Sequence, residues 1–134
     1  MSQSFKDLRV WRESKALAVQ VYRLTQDWPV SEQFGLTSQM RRAAVSVASN
    51  IAEGSARGTH AELARYIRIA LGSLAELQTQ LEIAREVLPE CFPSSAQPLE
   101  DLIDNLRPQL IRLLMTVRSE SSVREEVSEY SGGP

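Results

Sequence analysis

Between Leu63 and Leu88 an apolar residue returns at every third or fourth position without a break: Leu63, Ile67, Ala70, Leu74, Leu77, Leu81, Ala84 and Leu88. An average spacing of about 3.5 residues puts them in one seam along a helix that packs against near-parallel neighbours at shallow angles. Thr59-His60-Ala61-Glu62 marks the entry as a capping box, in which the Thr hydroxyl and the Glu carboxylate satisfy backbone N–H groups that the first turn leaves unpaired. At about 1.5 Å per residue the helix is roughly 40 Å long. A helix with one long apolar seam needs comparable helices to cover it. No stretch of the chain alternates with period two for long enough to build a sheet instead.

Three further segments supply those helices. The first runs from about Leu8 to Asp27, with Val10, Ser14, Leu17, Val21, Leu24 and Trp28 on its apolar face and Trp11, Ala18 and Tyr22 widening it. Pro29 ends it, because proline disfavours helical geometry in the residue before it. The second is expected to start with Thr37 as N-cap and to run to Glu53, with Gly54 as its stop. The fourth begins near Pro98, a residue tolerated in a first turn. It carries Leu99, Leu102, Ile103, Leu106, Leu110, Leu113, Leu114 and Val117, and Pro108 should kink or divide it. Short connections favour antiparallel neighbours, so the predicted class is all-α, an antiparallel up-down four-helix bundle over residues 1–118. Residues 119–134, SESSVREEVSEYSGGP, read as an acidic and mostly disordered tail.

The scarcity of reactive side chains limits the chemistry. Cys91 is the single cysteine and His60 the single histidine of 134 residues, which excludes an internal disulfide framework and most metal or triad chemistry. No Glu-x-x-His pair occurs, so no di-metal carboxylate bundle is expected, and no cofactor. His60 reads as a solvent-exposed first-turn residue. Cys91, in a loop without cationic neighbours, does not read as a nucleophile. The longest charge-free apolar stretch, Ala43 to Ala52, is half of the roughly 20 residues a membrane span needs. The N-terminus has no apolar signal core and already carries Lys6, Asp7 and Arg9. A soluble, cytoplasmic protein with no membrane partner is expected.

The formal charge of −2 hides an asymmetry. Residues 1–68 hold ten basic and six acidic side chains, residues 69–134 five and eleven. Lys6, Arg9, Arg12, Lys15, Arg57, Arg65 and Arg68 are the candidate contacts for a polyanion, with Arg23 and Arg41 in the same half. Arg9 and Arg12 lie one turn apart, as do Arg65 and Arg68, so each pair can line one face. Such contacts would go mainly to phosphates.

The second helix has an unusual wheel. At about 100° per residue, Met40, Ala43, Ala44, Val45, Val47, Ala48, Ile51 and Ala52 fill an arc of about 200°, wider than one bundle seam needs. A second copy of the chain near this helix is therefore expected. The polar remainder contains Gln39, Arg42, Ser46, Asn50 and Glu53, and the third helix carries a matching line of Ser73, Glu76 and Gln80. Glu53 with Glu76 could be a pair of carboxylates for acid–base work. The preferred reading is a hydrogen-bonded seam, with Arg42 neutralising a glutamate, that fixes register between helices or subunits. No nucleophile or metal cluster accompanies the carboxylates, and Gly54 to Gly58 lacks the Lys-Ser/Thr of a phosphate-binding loop. No enzymatic activity is expected.

FKDLRVW near the start, QMRRAAVSVASNIAEG and ALGSLAELQTQLEIA together resemble the four-helix-bundle family of intervening-sequence (S23) proteins, noted within insertions in bacterial 23S ribosomal RNA genes. The resemblance covers about residues 5–118. It implies an up-down bundle that assembles as a five-membered ring, a homopentamer. A related protein, the accessory variability determinant of diversity-generating retroelements, resembles this ring and binds nucleic acid and a reverse transcriptase through a basic surface. Two functions are consistent with these residues: binding of structured RNA or DNA by the basic half, or a scaffold for a protein partner. The scaffold would use the acidic tail with Trp11 or Tyr66, if those rings are exposed.

Overall fold

The computed structural model describes residues 5–93 and 96–131. Four helices make up the fold: α1 (Arg9–Thr25), α2 (Leu36–Ala56), α3 (His60–Val87) and α4 (Gln97–Ser131), with short 3-10 turns at Phe5–Asp7, Val30–Glu32 and Pro89–Cys91. There is no strand among the described residues. The most extensive interface joins α2 to α3. Smaller ones join α1 to α2, α3 to α4 and α1 to α4, so the helices close into a cycle around one core.

Contacts along α3 set directions. Ser46 on α2 meets Ser73, while Glu53, seven residues later, meets Tyr66, seven residues earlier, so the two helices run antiparallel. On α4, Glu100, Arg107 and Glu120 meet Arg85, Gln78 and His60 in descending order, again antiparallel. The α3 seam fills the core as its spacing predicts: Ile67, Ala70, Leu74, Leu77, Leu81, Ala84 and Leu88 are buried, facing Leu17, Val21, Met40, Val47, Ile51, Ile103, Leu106 and Leu110. Ser14 is buried among them because its hydroxyl donates to the Val10 carbonyl, one turn back, at 2.6 Å.

Three boundaries differ from expectation, each for a local reason. Gly54 does not stop α2. It lies inside the helix, buried at the crossing with α3, and an added Cβ would sit 2.6 Å from Cβ of Tyr66 and 3.3 Å from Cα of Leu63. The stop is Gly58, whose φ of +83° carries the chain out of the helix in the left-handed region. Thr37 is not the N-cap. It is buried in the first turn, and the Glu32 carboxylate does the capping by accepting from the Leu36 N–H at 3.3 Å. Pro108 does not divide α4, which is continuous from Gln97 to Ser131. That helix also takes in most of the acidic segment expected as a disordered tail, of which residues 132–134 lie outside the described residues. Half of the capping box is present: Thr59 Oγ1 accepts from the Glu62 N–H at 3.2 Å, while the Glu62 carboxylate turns to Arg65.

Candidate nucleic-acid interface

The antiparallel order brings the start of α1, the end of α2, the start of α3 and the region of α4 around Glu120 to the same end of the bundle. All seven candidate cations lie there, although more than forty positions separate Lys15 from Arg57 in the chain. Residues 5–15, 46–70 and 112–131, which form this end, hold ten Lys/Arg and eight Asp/Glu. Residues 16–45 and 71–111, which form the other, hold five and nine. Arg23 and Arg41 belong to the basic half of the sequence but to the acidic end of the fold.

Local partners hold several of these cations in place. Arg9 bridges to Glu13 at 2.9 Å with its own side chain largely in water. Arg12 donates to the Lys6 carbonyl at 3.4 Å, and the Lys15 ammonium sits 5.7 Å from the centroid of Trp11, itself packed edge-on against Phe5. On the other cluster, Arg57 and Arg65 each sit 5.5 Å from the centroid of the Tyr66 ring. Arg57 also bridges to Glu53 at 2.9 Å and Arg65 to Glu62 at 3.7 Å. Arg68 is exposed and has no ion pair among the described residues. Exposed pairs of this kind are worth about 0–1 kcal/mol, so a phosphate can replace the carboxylate at small cost.

The polar seam is narrower than the sequence suggested. Ser46 and Ser73 share a hydrogen bond of 2.8 Å across α2 and α3, and the Asn50 amide donates to both the carbonyl and the hydroxyl of Ser46. Glu53 joins neither. It accepts from Arg57 and from the Tyr66 hydroxyl at 3.3 Å, and Arg57's hydrogen bond holds its carboxyl below the ordinary range. A carboxyl shifted that way is a poor proton donor near neutrality. Glu76 lies ten residues along α3 from Tyr66, about 15 Å away by helical rise, so the two glutamates form no pair. Arg42 neutralises no glutamate among the described residues either. With Gln39, Glu76 and Gln80 it lines an open groove of about 520 Å³, too far from Glu76 to form an ion pair, and Gln80 Oε1 is buried there without a partner.

Other readings change with the structure. His60 is not a freely exposed first-turn residue. Its Nε2 meets Glu120 at 3.1 Å, and its Nδ1 is buried without a partner among the described residues. Tyr66 is buried, so it offers no ring to a protein partner, whereas Trp11 is half-buried. Val45, placed in the apolar arc of α2, points outward and is exposed. Burial, and then Glu90, pushes the Cys91 thiol above its ordinary range. No group of His, Cys, Asp and Glu among the described residues could hold a metal ion, and no described helix is long and apolar enough to cross a membrane.

The model of one protein family, described as 23S rRNA-intervening sequence protein, matches residues 6–112. The chain belongs to that family. The matched segment of the intervening-sequence family starts at Lys6 and spans both cation clusters, the Ser46–Ser73 seam and the first half of α4. The acidic C-terminal turns of α4 lie outside it. No curated protein matches the chain.

Proposed function

We propose that this protein is a non-catalytic, antiparallel up-down helical bundle that self-assembles, as a pentameric ring, and binds structured RNA through its basic end. The observation that carries the reading is the convergence of Lys6, Arg9, Arg12 and Lys15 with Arg57, Arg65 and Arg68 at one end of the bundle. Two clusters from distant parts of the chain double the charge one surface can present. The ion pairs within them are exposed and exchangeable, and self-assembly would repeat the patch, raising apparent affinity without new contacts. The family's tie to ribosomal RNA genes points the same way. Few aromatic rings accompany the cations, so recognition rests on phosphate position rather than base identity.

Fluorescence anisotropy with a labelled structured RNA, titrated over roughly 50–300 mM salt, tests this directly. Affinity should fall linearly in log–log form. Charge reversal at Arg9, Arg12, Arg65 and Arg68 should flatten the slope by somewhat under one per lost phosphate contact. Charge reversal at Arg107, on the other end, should leave it nearly unchanged. Absence of binding at the lowest salt overturns the reading and leaves a scaffold for a protein partner as the alternative.

A further inference from the structure

The connection between α1 and α2 holds two large apolar side chains in water. Phe34 is 89% exposed and Val30 82%. They stand four residues apart, Val30 opening the Val30–Glu32 turn and Phe34 following it. Neither is needed to close the bundle, because Trp28 does that, buried and tilted against Phe92 with ring centroids 5.7 Å apart. The turn keeps its shape by other means: Gln33 N–H donates to the Val30 carbonyl and Gly35 N–H to the Glu32 carbonyl, both at 3.0 Å. Val30 and Phe34 therefore stand as an apolar knob on a hydrogen-bonded turn.

A second exposed apolar feature lies on the outer face of α1, where it borders α2. Ala18, Val19 and Tyr22 line a shallow depression of about 390 Å³, rimmed by Lys15, Arg23 and Arg41. Val19 remains 39% exposed and Tyr22 46%. Its rim is pre-formed: Arg41 lies over the Tyr22 ring at 4.5 Å and donates to the Thr25 hydroxyl at 2.9 Å. The charges complement each other, since residues 27–35 carry Asp27 and Glu32 and no cation while the rim carries three cations.

We propose that the Val30–Phe34 knob of one copy seats in the Ala18–Val19–Tyr22 depression of the next. This deepens the self-assembly proposed above by naming its contact, and it does not depend on RNA binding. The knob does not fill the depression of its own chain, because both are exposed. Knob and depression are different patches, so the contact is heterologous and repeats from copy to copy until a ring closes. Apolar shape and opposite charge are both supplied by this chain, which makes a second copy the fitting occupant.

The test uses light scattering behind size exclusion on the full chain, a knob variant (Phe34→Asp) and a depression variant (Val19→Asp), with thermal melts to check folding. Both positions are solvent-exposed, so the variants should melt like the parent. The parent should assemble and each variant should run as a monomer. An equimolar mixture of the two should give a capped heterodimer, because each retains the half-contact the other lacks. Variants that assemble like the parent, or monomeric variants that ignore each other, overturn this contact and leave self-assembly to another face. A monomeric parent overturns both.

Discussion

One helix, α3, makes two seams of opposite character. Against α2 it meets mainly small groups: Gly54 with no side chain where Tyr66 and Leu63 press in, the Ser46–Ser73 hydrogen bond, and Ala43 and Ala44 nearby, with the Tyr66 hydroxyl reaching Glu53 as the one charged contact described there. Against α4 it adds long polar side chains that reach across from partly exposed positions, pairing Arg85 with Glu100, Gln78 with Arg107 and His60 with Glu120. Small groups let backbones approach closely, and the gain is dispersion that vanishes with a small displacement. Long charged groups span a variable gap, gain little in water and lose that to salt. The first seam therefore sets geometry and the second tolerates change.

The sharpest way to break this contrast is Gly54→Ala. Alanine favours a helix interior by about 1 kcal/mol over glycine. The 2.6 Å approach to Tyr66 Cβ and the 3.3 Å approach to a backbone atom nonetheless force the helices apart. A net loss of about 1–3 kcal/mol is expected, read as a lower urea midpoint. A stabilised variant would show that the seam can slide. Ser46→Ala removes the partner of the buried Ser73 hydroxyl and should cost about 1 kcal/mol by the same measurement, unaffected by salt. Arg85→Ala, on the other seam, should cost at most about 1 kcal/mol, and the difference should shrink towards zero at 1 M salt. A larger, salt-insensitive loss there would erase the distinction between the seams.

Much of this was legible in the residues, and the exceptions share a cause. The α3 seam and its Thr59 cap could be read because both are periodic or local patterns, decided within one helix. The helix stop falls on Gly58 and not on Gly54, because a sequence shows that a glycine is present but not what approaches it. The close contact comes from Tyr66, twelve residues on, and the positive φ belongs to Gly58. The polar seam was half right for a similar reason. Helical spacing aligns Ser46 with Asn50 and Glu53 on one helix, but antiparallel register decides that Ser73 meets Ser46 while Glu53 meets Tyr66 instead of Glu76. The seven cations were recognisable as a composition bias. Their gathering at one end follows only from the direction of each helix. His60 misled because its partner, Glu120, lies sixty positions away in a segment whose composition suggested disorder.

The separation of charge between the two ends, ten basic and eight acidic residues against five and nine, gives this nearly neutral chain a dipole along the bundle axis. Net charge governs attraction at a distance, yet ionic screening at physiological strength confines electrostatic influence to about 8 Å. Within that range a neighbouring molecule meets one end and not the average. Near a polyanion the bundle would experience a torque before contact, turning the Arg57–Arg68 end inward and the Glu82–Asp104 end away. Copies packed side by side with their axes parallel would add their dipoles, so one rim of such an assembly would be positive and the other negative. Orientation, more than affinity, is what this arrangement of ordinary surface charges confers.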